Sequence, residues 1–228
     1  MWLSLVAILV GVGPDQAGAD AAFKRMEHVL KCKTLQVQLE VTQLLGKATT
    51  MSMKGRLAVA QGDKVRLELD GKFMGKPQKR VWVSDGKKLR YTHSGLPTQD
   101  LDTKKQLGEA YRGSLSRAGI FFGMYTQVTP DQEDEFDPEK VFPISDVKLG
   151  KKEVISGRAA QVIEYKLTPL AYKDPLEVTV WVDVKTNLPI KRVVTHHRPG
   201  SPLIMVTESY TKLVVDGKID EKEFELPK

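Results

Sequence analysis

The sequence predicts a mainly β protein of the α+β class, in which one curled antiparallel sheet of about ten strands is covered by helices. Two observations predict the sheet. Apolar and polar residues alternate with a period of two in many short segments, and turn residues separate those segments. A third observation excludes a parallel sheet, because strands and helices do not alternate regularly along the chain. We expect one domain, since no obvious linker divides the 228 residues.

Composition excludes several classes of protein. Hydrophobic residues make up 41% of the chain and charged residues 28%, which is ordinary for a globular protein and excludes a disordered chain, a collagen-like fibre and a multi-span membrane protein. The single cysteine, Cys32, excludes an intrachain disulfide and a cysteine-rich zinc site. The net charge of +6 is spread through the strands, so we expect an acidic membrane surface or acidic envelope components, and no nucleic acid, as charged partners.

The N-terminal segment has the features of an export signal. Trp2 to Val12 is an almost unbroken apolar run, shorter than the roughly 20 residues that a membrane span needs. Ala17-Gly18-Ala19 follows, with the small residues that a signal peptidase accepts. We expect residues 1–19 to be a cleavable signal peptide and residues 20–228 to be the folded domain. The alternative is that the apolar run forms a buried N-terminal helix.

A helix and then alternating strands follow this segment. Asp20 is expected to cap a helix whose apolar stripe contains Phe23, Met26 and Leu30. In the strands, the apolar members of each alternation should share one face and line a cavity. These residues are Leu35, Val37, Leu39, Met51, Met53, Leu57, Val59, Val65, Leu67, Val178 and Val180. The methionines suit a cavity for irregular ligands, or they fill an ordinary core.

The middle of the chain predicts a helical lid. Residues 101–125 lack period-two alternation, and their apolar residues recur at helical spacing. The predicted lid residues are Leu107, Tyr111, Leu115, Ile120, Phe121 and Phe122. Left in water, such a cluster would promote aggregation, so we expect it to dock on the concave face of the sheet. Glycines weaken these helices, which makes the segment a plausible gate.

Motifs for catalysis or metal binding are missing from the sequence. It contains no nucleophile elbow, zinc-protease motif, phosphate loop or dinucleotide fingerprint, so we predict a protein that is not an enzyme, with no catalytic residues and no cofactor. The pair His196-His197 points to opposite faces of a strand, so no metal site is expected there. The acidic run that begins at Asp131 lacks the mid-loop glycine of a calcium loop.

Several short segments resemble one known family in order and spacing. They are Gly55–Val59, Gly62–Leu67, Val83–Tyr91, Val180–Asp183 with Leu188–Ile190, and Ile219-Asp220 with Phe224–Pro227. The chain resembles the LolA/LolB superfamily of outer-membrane lipoprotein-sorting and carrier proteins, as a divergent member. The resemblance implies a periplasmic protein with an N-terminal helix, an unclosed β-barrel of about 10–11 strands and helices that plug an apolar cavity. The family's lid-latching arginine and its proline correspond here to Gln61 and Gly62, so that latch is absent from these positions.

The predicted function follows from the cavity and the resemblance. We expect a periplasmic, non-catalytic carrier, monomeric, that binds a lipid acyl chain or a lipoprotein in an apolar cavity. The alternative is an envelope protein–protein interaction module with a filled core and no ligand. A dry cavity of roughly 300 Å³ or more favours the carrier, and a packed interior favours the module.

Overall fold

The computed structural model describes residues 14–103, 105–121, 136–169, 174–197 and 199–227. The helices are α1 (Pro14–Leu30), α2 (Leu107–Arg117), α3 (Pro138–Val141) and a 3-10 helix (Glu221–Phe224). The strands are β1 (Leu35–Leu45), β2 (Ala48–Ala60), β3 (Lys64–Phe73), β4 (Lys76–Asp85), β5 (Lys88–His93), β6 (Gln99–Asp102), β7 (Ile144–Ile155), β8 (Arg158–Leu167), β9 (Leu176–Asp183), β10 (Pro189–His196) and β11 (Ile204–Val215).

All of these strands form one antiparallel sheet. Its order is β6-β5-β4-β3-β2-β1-β11-β10-β9-β8-β7, so each pair of neighbouring strands in the sheet is also consecutive in the chain, except β1 and β11. The edge strands β6 and β7 do not pair with each other, and the sheet stays unclosed. The predicted mainly β, α+β architecture with an unclosed sheet is confirmed. The alternating burial along β1, β3 and β9 gives the sheet one apolar, concave face.

Helix α1 begins earlier than the sequence predicts. It starts at Pro14, and Asp20 lies inside it, so the predicted N-cap at Asp20 is wrong. The Asp20 carboxylate instead accepts a hydrogen bond from the side chain of Gln16, one turn earlier, at 3.0 Å. The early turns are held by packing against β7, because Ala19 is fully buried there. None of the helices in the described ranges is long and apolar enough to cross a membrane.

The core lies between the concave face of the sheet and helices α1 and α2. Phe23, Met26 and Leu30 form the buried stripe of α1, as their spacing predicts. Leu107 and Leu115 are buried on α2 in the same cluster. The two helices therefore cover the apolar face that the alternating strands produce.

The C-terminal segment, residues 216–227, crosses the opposite, convex face as a strap. Its 3-10 helix forms ion pairs through Glu221 with Lys64 and through Glu223 with Arg56. The Arg66 side chain donates to the carbonyl oxygen of Glu223 at 3.0 Å. Phe224 is buried beneath the strap. The convex face of β2 and β3 is thus partly covered by polar contacts around one aromatic anchor.

Candidate functional site

The residues predicted to line the cavity all face inward. Each of the eleven is at most 3% exposed and belongs to a single buried cluster. The five predicted lid residues in the described ranges are at most 6% exposed and belong to the same cluster: Leu107, Tyr111, Leu115, Ile120 and Phe121. Phe122 lies outside the described residues. The lid thus packs against the face that was predicted to hold a ligand, and ligand binding by that face remains a prediction.

Side chains of the sheet hold the C-terminal end of α2. Arg192 on β10 is fully buried, and its two terminal nitrogens donate to the carbonyl oxygens of Leu115 at 2.7 Å and Ser116 at 2.9 Å. The Tyr165 hydroxyl donates to the next carbonyl, that of Arg117. The last carbonyls of a helix have no partner within it and carry partial negative charge, so a guanidinium is a suitable partner.

A buried carboxylate holds the backbone that follows α2. Glu208 on β11 is 1% exposed and lies opposite Arg192 in the strand register. It accepts hydrogen bonds from the backbone N–H groups of Ile120 at 2.9 Å and Phe121 at 2.8 Å, and from the Tyr210 hydroxyl at 2.7 Å. We call Tyr165, Arg192, Glu208 and Tyr210 the lid anchor. It binds the backbone of the lid and leaves the lid side chains to apolar contacts.

Burial governs the acid–base properties of the lid anchor. It raises the pKa of Glu208, and this effect is opposed by the Tyr210 hydroxyl, the Arg192 charge and the two backbone amides. Burial also raises the pKa of the Tyr165 and Tyr210 phenols. A buried ion pair is often less stabilising than apolar side chains of the same volume. The lid anchor is therefore better suited to position the lid than to add stability.

The opposite end of α2 is held by the turn between β2 and β3. The Asp63 carboxylate accepts hydrogen bonds from the backbone N–H groups of Gln106 at 3.0 Å and Gly108 at 3.2 Å. A carboxylate complements the partial positive charge at a helix N-terminus. Asp63 directly follows Gln61 and Gly62, so this turn contacts the start of the lid through a carboxylate.

Two arginines of α2 connect the lid to the N-terminal region. The Arg117 side chain donates to the Glu27 carboxylate of α1 at 2.6 Å and to the Phe142 carbonyl at 3.1 Å. Arg112 donates to the Lys33 carbonyl at 2.8 Å. A cavity of about 570 Å³ lies between α1, α2 and α3, but its lining is mixed polar and apolar and includes none of the predicted cavity residues.

The remaining candidate chemistry is structural. Burial raises the pKa of the Cys32 thiol, so this thiol has little thiolate character. Its sulfur lies 3.5 Å from the Leu30 carbonyl oxygen, to which it donates a hydrogen bond. His196 is buried on the inner face, whereas His197 is exposed beside Glu177 at 3.6 Å. Within the part of the chain that the structure describes, no group of three or more His, Cys, Asp or Glu side chains is placed to hold a metal ion.

The lid anchor and the role of Asp63 were not predicted from the sequence. A signal for the anchor was present in the strand register. Arg192 is two residues before the inward-facing Val194, and Glu208 is two residues before the inward-facing Tyr210, so both charges lie on the buried face. Opposite charges at inward positions of neighbouring strands indicate a buried polar site. What they bind could not be predicted, because it is the backbone of a distant segment.

A solved structure shares this architecture. LprF from Mycobacterium bovis superposes with a TM-score of 0.55 at 11% sequence identity, and the match covers 91% of this chain and 98% of LprF. The chain shares the fold of LprF. MucB gives a TM-score of 0.48 at 17% identity over 94% of this chain and 65% of MucB. The LolA superfamily protein NE2245 from Nitrosomonas europaea gives 0.36 at 12% identity over 91% of this chain and 97% of its own.

No protein-family model and no curated protein sequence match the chain. The likeness to LprF, at its level of identity, concerns the fold alone. A function therefore has to be argued from the residues of the chain itself.

Proposed function

We propose that this protein is a non-catalytic carrier that binds the acyl chain of a lipid or lipoprotein on the concave face of its sheet. The proposal rests on one observation, which is that hydrogen bonds from the sheet fix the lid at both of its ends. Charged side chains bind the backbone at both ends of α2, through Asp63 at its start and through Arg192 and Glu208 at its end. The lid is attached to the sheet at defined points, and its apolar side chains occupy the face between them.

This arrangement suits an exchange of apolar partners. Leu107, Tyr111 and Leu115 cover the concave face, and an acyl chain offers the same kind of surface in their place. Each buried methylene contributes about 0.8 kcal/mol, so a chain of about 14 carbons offsets the exposure of several lid side chains. Buried hydrogen bonds reform only when the lid returns to one position, which gives the closed state a defined geometry.

We place the carrier in the periplasm, on the evidence of its N-terminal sequence. The apolar run and Ala17-Gly18-Ala19 support export and cleavage after Ala19. Its partners would be a lipid or lipoprotein and, through its net charge of +6, the acidic surfaces of the envelope.

The second candidate function is an envelope interaction module with a filled core. The observation that favours it is the tight packing of the concave face, where the predicted cavity residues are at most 3% exposed. In such a module the lid would be permanent core, and the lid anchor would specify a single structure.

Binding of a fluorescent fatty acid by the full chain separates the two functions. Tyr165→Phe removes the hydrogen bond to the Arg117 carbonyl and should ease lid opening by about 1 kcal/mol, which corresponds to roughly fivefold tighter binding. Tyr111→Phe is the matched control, because it makes the same change on the lid outside the lid anchor.

Hydrogen exchange supplies an independent measurement. A carrier should exchange its α2 amides faster than those of β1, and bound fatty acid should speed the exchange of α2 further. Absence of fatty-acid binding, together with α2 amides as protected as those of β1, would favour the module. Lipid extraction of protein purified from its native envelope would identify a ligand directly.

A further inference from the structure

The concave face carries a row of rings on β4 and β5. Trp82 stacks on Tyr91 with a centroid separation of 4.8 Å, and Tyr91 stacks on His93 at 6.3 Å, each pair at 27°. Trp82 lies opposite Leu67 in the strand register, and Leu67 is fully buried in the core. The rings therefore extend the apolar concave face towards the β6 edge of the sheet.

Polar groups lie on the same face at the end of this row. Arg80 is directly opposite His93 on β5 and opposite the buried Leu69 on β3. Gln78, two residues before Arg80, shares its face. Both ring nitrogens of His93 and the side-chain oxygen of Gln78 are buried without a hydrogen-bond partner among the described residues. Buried polar atoms usually have a hydrogen-bond partner, because a buried polar atom without one costs free energy of folding.

We call Gln78, Arg80 and His93 the polar patch, and its charge favours an anion as ligand. Burial and the positive charge of Arg80 both lower the pKa of His93, so the imidazole lies in a positive field. A neutral imidazole donates one hydrogen bond, a guanidinium donates several, and the Gln78 amide can turn its NH₂ towards a ligand. The three side chains together can supply donors to one negatively charged group.

We propose that Gln78, Arg80 and His93 bind the anionic headgroup of an amphiphile whose acyl chain lies on the adjoining concave face. The inference rests on the proposed carrier function and adds the chemical class of its ligand. The position of the patch supports it, since Met53 and Leu69 continue the apolar surface directly from the polar groups. An amphiphile has its charge at one end of an apolar chain, and this face has the same arrangement.

The test compares two ligands that have the same acyl chain, one with an anionic and one with a neutral headgroup. Binding of myristate and of neutral monomyristoylglycerol to the full chain is measured by titration calorimetry below their aggregation concentrations. We expect myristate to bind about tenfold more tightly, and we expect Arg80→Gln combined with His93→Gln to bring the ratio close to one. Lys72→Gln is the matched control, because Lys72 is an exposed cation on the convex face near the same end of β3. Inorganic phosphate alone, at millimolar concentration, should neither bind nor displace myristate.

The outcomes separate this inference from the proposed function. Equal affinity for the two ligands in the wild type overturns the headgroup site and leaves the carrier intact. A tenfold preference that persists in the double variant also overturns the site, since the charge is then recognised elsewhere. Binding of phosphate alone overturns the amphiphile as occupant. Binding of neither lipid overturns both proposals. Arg80→Lys keeps the charge and should retain most of the preference, which controls for damage to the fold.

Discussion

At the scale of single residues, Gly119 shows how closely the lid approaches the sheet. It has a φ of 96°, and a Cβ built on it would lie 2.6 Å from a carboxylate oxygen of Glu208. Gly157 also has a positive φ, 76°, but a Cβ there meets nothing within 4 Å. The first site therefore requires glycine for its conformation and for space, and the second for its conformation alone.

We expect Gly119→Ala to lower the free energy of unfolding more than Gly157→Ala does. Both variants have about 1–2 kcal/mol of left-handed backbone strain, and Gly119→Ala adds the displacement of a buried carboxylate, worth about 1–3 kcal/mol. Urea unfolding of the two variants measures the difference. Equal losses would show that the contact between the lid and Glu208 is not formed in solution.

Three buried tyrosines should make the free energy of unfolding depend on alkaline pH. Burial raises the pKa of Tyr111, Tyr165 and Tyr210 above the ordinary value of 10.0. Above pH 10 the unfolded chain releases these protons whereas the folded chain keeps them. The free energy of unfolding should therefore be independent of these groups below pH 10 and should fall as pH rises beyond it.

The expected slope is about 1.4 kcal/mol per pH unit for each tyrosine. Urea unfolding at pH values from about 9 to 11 measures it, and Tyr165→Phe should reduce the slope by about a third. A flat profile in the wild type would show that these phenols are accessible to solvent in the folded state.

The residues of the site differ in how far the sequence could predict them. Inward positions such as Val178 and Val180 follow from alternation, since the strand period is local. The partners of Arg192 and Glu208 do not follow from it, because they are backbone groups of a segment far away in the chain. Asp63 was missed for the same reason, as a turn residue whose hydrogen bonds go to the start of α2.

At the scale of elements, strand β7 is a long edge that needs protection from pairing with other molecules. Val154 is 73% exposed on it, and Leu149 is 43% exposed. Two register shifts interrupt its pairing with β8, and lysines such as Lys151 and Lys152 stand between its apolar residues. Bulges and lysines are common ways in which edge strands avoid aggregation.

We expect Lys152→Val to promote self-association, because it joins Leu149 and Val154 into a more continuous apolar edge. Static light scattering at increasing protein concentration measures the effect. Lys54→Val is the matched control on the interior strand β2, where the backbone is already paired on both sides. Association of both variants to the same extent would mean that lost charge, and not the free edge, is responsible.

The elements also show where sequence patterns stop being informative. The strands and the lid helix follow from periodicity, which depends on nearby residues. The start of α1 does not, because a good capping residue at Asp20 is overridden by packing of the preceding turns against β7. Capping preference amounts to about 1 kcal/mol, and the burial of several side chains exceeds it.

At the scale of the whole molecule, the predicted signal-peptide cleavage site lies within the packed helix α1. Cleavage after Ala19 would remove the buried Ala19 and the turns before it, while Phe23, Met26 and Leu30 stay in the core. We expect the exported protein to begin at Asp20 and to stay folded, since most of the apolar stripe remains. N-terminal sequencing of periplasmic material identifies the first residue of the exported protein. Recovery of intact Met1 from a cytoplasmic fraction would contradict export.

The pairing of β1 with β11 has a consequence for how the chain is made. Leu35 pairs with Val215 near the centre of the sheet, so the middle of the sheet cannot form until β11 has been made. Arg192, Glu208 and Tyr210 are made only with β10 and β11, so the lid anchor is incomplete until then. Such distant pairings slow folding. The topology thus delays folding until β11 has been made, and this delay suits the proposed export, because a translocation pore for unfolded chains needs substrates that fold late.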